Sequence, residues 1–547
     1  MESTLIPIDW LHWSLAAAPI IVLAFLLVAL RWTAQQAGTA CIFIAAAVAL
    51  LAFRTPVDAL AVAGAKGVWD SAPILLVVWT ALLLYHVMDK AGGYEALRRG
   101  IVGFSRNELF VVVALAWVFT SFLQGIDGFG TPIVIVAPLL VAVGMRPVYA
   151  VAIPIIAHIW AKFYGTLGVG WLATLQVVDL DPATIAATAY QSALLMIIQV
   201  VLGGLAVVWM YGRWAAVRHA WPLVLIISVI QGIGQVVVVM FDPVLAAFVP
   251  AAAAMLALYP LSRWRRYAQP LVGVDVRPAM RSSPMPDVAD SGAAPMGVAL
   301  AFMPYAVLTV IAVVAAMVTP IATILRSVTV GLPFPQVSTG YGITNAAVER
   351  YSVMEPLMNP GASLLLTAGL AWLIFKRRGY YKARRAAGPT GEPGIAASLL
   401  ASAVPASVPI IAFLVMARIM DHSGQTEALA YGIAAVAPAY VFAFLSNGIG
   451  VVGAFATSSS TSSNVLFSDL QVTLAKLKGL PTATILASQS AGGAIGNAIA
   501  PANLVLGAST AGISGHEGDI LRKTLLWTLV AFLLTGAATV AMILLGS

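Results

Sequence analysis

Apolar residues in this chain fall in blocks rather than being scattered. Stretches of roughly 20 apolar residues, the length a helix needs to span hydrocarbon, recur along the sequence. The first runs from about Trp13 to Leu30, the second from Thr39 to Phe53 and the third from Ala72 to Met88. Lys90, Arg98, Arg99 and Arg106 follow the third block, and such basic loops face the cytoplasm. Further spans are expected at Pro182–Tyr211, Trp221–Met240, Pro243–Leu261, Met296–Leu325, Gly361–Phe375, Ile395–Met416, Ala428–Phe444 and Leu525–Leu545. Backbone groups in lipid must be satisfied within their own segment, so these blocks are helices. The pattern predicts an all-α polytopic membrane protein with about 11 to 14 membrane segments. Residues 1–266 form a first membrane half, 267–295 a polar linker, and 296–547 a second membrane half. Arg326–Pro360 is expected to lie outside or to fold partly back in.

Each half contains interruptions. In the first, Leu109–Gln124 and Thr131–Gly144 are arms joined by Gly125-Ile126-Asp127-Gly128-Phe129-Gly130. Each arm is short for a full crossing, and Arg106 and Arg146 flank the pair. That predicts a re-entrant hairpin; two short spans with an external turn are the alternative. The next block, Val148–Val178, is interrupted near Gly165–Gly170. In the second half Phe455–Asn464 and then Gln489–Asn503 break the pattern in the same order, as a weak internal repeat. Irregular backbone at membrane depth survives where it lines a polar cavity. Paired interruptions in two halves point to a transporter site, and half-helix N-termini there favour an anion.

The polar residues at these breaks are the candidate site. Ser458 to Asn464 is an unbroken run of short polar side chains, and Ser459, Ser460, Thr461, Ser462, Ser463 and Asn464 suit the wall of a small cavity. Close helix packing through small residues is the alternative. Asp127 is an acid within the membrane, a costly placement with a functional reason as a rule; it either carries a proton or caps the next half-helix. His158 and Lys162 are four apart and would share a face of a continuous helix. A lysine in apolar surroundings needs a partner or an anionic substrate, unless its stem reaches an interface. Gln124, Thr131, Gln489 and Asn497 complete the substrate-binding candidates, with Asp127 and His158 as candidates for the coupling ion.

Composition narrows the class. The chain is 61% hydrophobic and 9% charged, against about a quarter charged in soluble proteins, so a soluble globule is excluded. The net charge of +7 resides beside apolar blocks, which fits anionic lipid rather than nucleic acid. Cys41 is the only cysteine, which excludes an internal disulfide and a multi-thiolate zinc site; no metal or cofactor is expected. Glu2 and Asp9 precede the first block without Lys or Arg, so no cleavable signal peptide is expected. Without a Gly-x4-Gly-Lys-[Ser/Thr] loop, ATP-driven pumping is disfavoured, and no acid or histidine cluster marks a membrane enzyme. A passive channel is the rival class; it would need no titratable group at depth and would not saturate.

Three ordered motifs carry a resemblance. They are Phe122-Leu-Gln-Gly-Ile-Asp-Gly-Phe-Gly-Thr-Pro-Ile running on through Pro147-Val-Tyr-Ala, Thr457-Ser-Ser-Ser-Thr-Ser-Ser-Asn-Val-Leu-Phe, and Gly492-Gly-Ala-Ile-Gly-Asn-Ala-Ile-Ala-Pro ending in Gly515-His-Glu-Gly-Asp-Ile-Leu-Arg522. In these the sequence resembles the lactate permease family. The resemblance implies uptake of a small organic anion, lactate, glycolate or a related 2-hydroxy monocarboxylate, with protons, across the plasma membrane (the inner membrane in a bacterium). It also implies two inverted repeats, each with a re-entrant hairpin and a broken helix, an elevator-like motion and a scaffold that forms a homodimer. The chain departs from the family's pattern in charge. Gln124, Ser460 and Asn497 stand where the family has glutamate, aspartate and lysine, while Asp127, His158 and Lys162 stand where it has uncharged residues. Either the charges have moved, Asp127 serving for the lost acid and Lys162 for the lost base, or the chain is a paralogue with a changed substrate or coupling ion, sodium included.

Overall fold

The computed structural model describes residues 6–7, 9–30, 32–103, 105–128, 130–271, 273–274, 276–282, 296–387 and 393–546. Helices account for most of it, and those used below are labelled in chain order. In order they are α1 (Trp10–Val28), α2 (Ala34–Leu51), α3 (Val57–Ala91), α4 (Glu108–Ile126), α5 (Thr131–Ala142), α6 (Pro147–Ala157), α7 (Gly165–Val177) and α8 (Pro182–Val239). Then follow α9 (Phe248–Arg263), α10 (Val298–Met317), α11 (Pro360–Arg377), α12 (Ile395–Ser423), α13 (Gln425–Val436), α14 (Ala439–Thr457), α15 (Ser460–Leu477), α16 (Thr482–Gly496), α17 (Pro501–Thr510) and α18 (Glu517–Leu545). Among the described residues nine helices are long and apolar enough to cross a bilayer. Large apolar side chains stand fully outward on α1, α2 and α18, among them Ile21, Phe25, Phe43, Leu51, Leu526 and Leu545. Lipid, not water, is the solvent such faces fit.

Local chemistry sets the helix ends. Thr33 and Gln36 cap α2 reciprocally, Asn107 accepts the Phe110 amide at the start of α4, and Asp181 accepts two amides at the start of α8. The helix α8 is one apolar stretch kinked at Gly212 and Arg213, which gives the two expected spans. The block expected at Ala428–Phe444 is instead two helices, α13 and α14. Pro438 has no amide hydrogen and disfavours a helical residue before it, and Ala437 is accordingly extended. The third block is longer than its apolar core, because α3 carries the buried Lys66 and Asp70 in its first half. Within Arg326–Pro360 lie the strands of the described residues: β1 (Val330–Phe334) pairs antiparallel with β4 (Val348–Met354), and β2 (Val337–Ser338) with β3 (Thr344–Asn345). Of the expected linker, residues 276–282 pack back on the first half, where Arg281 pairs with Glu108 at 2.6 Å. Residues 272, 275 and 283–295 lie outside the described residues.

Two groups of helices emerge from the packing. In the first, α12 packs on α2 and α3, and α11 on α3. The second holds α14, α15 and α16 in mutual contact, with α8 and α18 against them and α6 against α8 and α18. The arms α4 and α5 fold back on each other, as do α14 and α15. The contacts are reciprocal: α7 packs on α15, and α17 packs on α5. The helix α4 is buried all round, with Trp117, Phe119 and Phe122 inaccessible, so it faces protein on every side.

A close backbone contact joins α14 to α16. A Cβ at Gly492 would stand 1.9 Å from the Asn447 carbonyl oxygen, and one at Gly496 2.3 Å from that of Val451. Only glycine lets these backbones meet, the small-residue packing that membrane helices use in place of a hydrophobic drive. Gly492→Val is therefore expected to push α16 off α14, at about 3 kcal/mol or more. The monodisperse fraction in size-exclusion chromatography and the apparent Tm in detergent should both fall.

Candidate functional site

Four chain breaks meet at one place. In the first, α4 ends at Ile126, Asp127 is extended, Gly130 adopts a positive φ of 93°, and Pro132 restarts the chain as α5. The second follows α6: His158 leaves helical geometry, and Thr166, Leu167 and Gly168 lie in the left-handed region with φ of 51°, 49° and 76°. The third lies between α14 and α15, where Ser458 has φ 56° and Ser459 is extended, its hydroxyl capping the Ser462 amide at 3.1 Å. The fourth follows α16: a short 3-10 turn at Asn497–Ile499 gives way to extended Ala500, as the following Pro501 requires. Left-handed conformations at residues with a Cβ cost about 1–3 kcal/mol each and persist where the surroundings enforce them.

Each pair of breaks is tied together. The Gly128 amide donates to Thr166 Oγ1 at 2.8 Å, joining the first to the second. A Cβ on Gly165 would stand 2.7 Å from the Gln124 carbonyl oxygen, so the chain passes here only as glycine. The Ala502 amide donates to Ser458 Oγ at 3.2 Å and Asn497 Nδ2 to the Ser458 carbonyl at 3.4 Å, joining the third to the fourth. Asn503 Nδ2 donates to Asn497 Oδ1 at 2.8 Å.

Between the two pairs lies a cavity of ≈ 250 Å³. At about 30 Å³ per water that is roughly eight water volumes, below the ~300–1,000 Å³ of drug-sized sites. Its wall holds Gln124, Lys162, Thr166, Ser458, Ser459, Ser460, Thr461, Asn497 and Asn503, with Val169 and Leu506 as apolar patches. The starts of α7, α15 and α17 face it, and Gly130, the residue ahead of α5, lines it too. Helix N-termini present free amides and positive partial charge, so four of them define an anion-attracting space. Lys162 adds an amine that carries a whole charge when protonated. Lys162 is 7% exposed and lines this cavity, and its side chain makes no hydrogen bond or ion pair with any described residue. Asp127 acts on it only through space.

The expected site residues divide between the wall and the layer behind it. Gln124, Lys162, Ser459, Ser460, Thr461 and Asn497 line the cavity. Asp127 is buried behind it and accepts the Thr131 hydroxyl at 2.7 Å, so both are turned from the cavity toward each other. The helix is not continuous from His158 to Lys162, so these two do not share a face; His158 is buried with Nδ1 on the Pro154 carbonyl. Ser462, Ser463 and Asn464 turn inward on α15. Ser463 Oγ donates to the Gly450 carbonyl at 2.8 Å, while Gln489 joins Ser463 and Gln471. Thr166, Ser458 and Asn503 complete the polar wall; the sequence marked their segments as breaks but not these side chains.

A membrane-spanning helical body with a small polar cavity at four helix breaks is the architecture of a multi-pass membrane transport protein. Its sequence matches the L-lactate permease family over residues 13–545, and the chain belongs to that family. It is 27% identical to the L-lactate permease of Escherichia coli (strain K12), over 97% of this chain and 95% of that protein. It is 26% identical to the glycolate permease GlcA of the same strain, over 96% and 94%, and 26% identical to the L-lactate permease of Halalkalibacterium halodurans, over 93% of each. Among solved structures it aligns with the YdaH transporter of Alcanivorax borkumensis at 15% identity and a TM-score of 0.43, over 86% of this chain and 85% of that one.

Proposed function

We propose that this protein is a proton-coupled symporter of a small 2-hydroxy monocarboxylate, lactate or glycolate, bound in the cavity between the four breaks. The observation that carries the reading is Lys162, a buried ammonium on the cavity wall without a bonded counter-ion. A buried charge left alone is costly, and a substrate carboxylate at Lys162 relieves that cost. The amides and hydroxyls at the starts of α7 and α15 take its remaining lone pairs. Asn497, Asn503 and Gln124 are the wall groups for the 2-hydroxyl, and Val169 and Leu506 offer an apolar surface to a methyl group. The names of the relatives, L-lactate and glycolate permease, support this substrate class.

Coupling is assigned to Asp127. While ionised it opposes the field of Lys162, so a proton on Asp127 strengthens the pull on the substrate anion, and each binding favours the other. The reciprocal packing of α7 on α15 and α17 on α5 supports an inverted repeat with two re-entrant hairpins. Alternating access would then move these elements together. That Gln124, Ser460 and Asn497 share one wall with Lys162 favours relocated charge. The same observation also fits a paralogue with another small carboxylate or with sodium as the coupling ion.

The test is uptake of labelled L-lactate into proteoliposomes of the purified protein, with and without an inward proton gradient. Saturable accumulation that needs the gradient is the expected result. Uptake that neither saturates nor responds to the gradient would make the protein a channel. No uptake by folded protein would move the substrate to another small acid.

A further inference from the structure

The cavity occupies the first turns of α7, and the last turn of the same helix is held by a different set of residues. A helix C-terminus leaves carbonyls without partners and carries negative partial charge. On α7 the Gln176 carbonyl is taken by Nη2 of Arg418, which stands near the end of α12. The guanidinium is itself held by α3: Nε meets Asp70 Oδ2 at 2.7 Å, and the Asp70 side chain is inaccessible to solvent. Tyr351 of β4 donates its hydroxyl to the same Asp70 oxygen at 3.0 Å, and its ring centroid lies 5.6 Å from the guanidinium carbon. Ser352 Oγ donates to the Gln176 side chain at 2.8 Å. The Trp69 indole of α3 fixes the strand by donating to the Tyr351 and Ser352 carbonyls at 3.1 Å.

Arg418 is a charged tie between the two helix groups, beside direct packing of α7 on α3 and of α12 on α15. The helices α3 and α12 belong to the first, while α7 is packed on α15 of the second. An α-helix is a stiff rod rising about 1.5 Å per residue, and past the left-handed turn at residues 166–168 that rod begins at Val169, so what holds Gln176 also holds Val169 on the cavity wall. We propose that Arg418, oriented by Asp70, is a positioning residue that latches the cavity-bearing helices to the α3–α12 body in this conformation, and that the transport cycle must release it. The inference rests on the transport reading of the cavity. Arg418 touches no part of the cavity wall, so its loss shifts the balance between conformations and leaves substrate contacts alone. Asp421, 3.6 Å from Arg418, lies on α12 beside it, so that contact does not tie Arg418 to α3 as Asp70 does.

Cys41 is buried and is the chain's single cysteine, so Cys41→Ser with Thr461→Cys gives one reporter thiol on the cavity wall. The experiment compares the rate at which a membrane-impermeant maleimide labels this thiol, in the reporter parent and with Asp70→Asn, Arg418→Gln or Tyr351→Phe added. Release of the latch is expected to change the rate in one common direction. The change should be about fivefold or more for Asp70→Asn and Arg418→Gln, the effect of breaking a buried charge pair. It should be smaller for Tyr351→Phe, which removes one hydroxyl and is expected to fold where the other two fail. Without the reporter mutations, the same three variants should keep the concentration dependence of lactate counterflow within about twofold. Unchanged labelling in folded variants overturns the latch, as does a shift in substrate affinity with labelling unmoved. Labelling needs no substrate: a parent that takes up no lactate counts against the substrate assignment, and the labelling rates still decide the latch.

Discussion

Lys162→Met is expected to abolish concentrative uptake. Losing one member of a desolvated charge pair costs about 2–5 kcal/mol, roughly 30-fold to several-thousand-fold in affinity. The cavity offers no second ammonium or guanidinium among its wall residues, so nothing takes over. Methionine keeps the length and apolar stem of lysine, and removing a buried unpaired charge relieves desolvation. The variant should therefore be at least as stable as the parent while failing to bind. Stability and function moving in opposite directions is the signature of a site residue. Lys162→Arg restores charge but brings a planar fork of different reach, and is expected to recover only part of the affinity. The checks are initial uptake rates across substrate concentration and the Tm gain on adding lactate. Uptake of Lys162→Met within about threefold of the parent would sink the cavity as the binding site.

Asp127→Asn is the second large effect, and it separates two kinds of transport. Asparagine mimics the protonated acid and can still accept the Thr131 hydroxyl, so the chain break it helps to shape should hold. The field at Lys162 then stays permanently at its more positive value. Substrate binding without a gradient is expected to persist, and counterflow exchange to remain within about threefold of the parent. Accumulation driven by a proton gradient should fall at least about tenfold, the loss of a coupling of 1.4 kcal/mol or more. Gradient-driven uptake and exchange both measured at parental levels would remove Asp127 from the mechanism.

The spans and the places where they break were legible in the sequence because hydrocarbon imposes a length and tolerates no unpaired backbone. A glycine-rich tip at Gly125–Gly130, a glycine run at Gly165–Gly170 and a serine run at Ser458–Ser463 each conflict with that demand. Which side chains face the cavity was less legible. Once the helix ends at His158, four-residue spacing no longer means a shared face, and Lys162 reaches the wall while His158 does not. On α15 the polar run covers all sides of the helix, so about half of it turns into the bundle toward Gly450 and Gln489. The latch at Arg418 left no sequence trace. Asp70 lies outside the apolar core of its block, Tyr351 stands in a strand pattern too short to recognise, and their meeting depends on contacts between residues hundreds of positions apart. Membership of the L-lactate permease family fixes the class.

On the proposed reading of the cavity, the main chain at the starts of α7, α15 and α17 adds its dipoles to the charge of Lys162. A point mutation can delete a side chain but not an amide dipole. Substitution at Gln124, Ser460 or Asn497 would then retune which acid is favoured, while Lys162 and the breaks together keep the preference for negative charge.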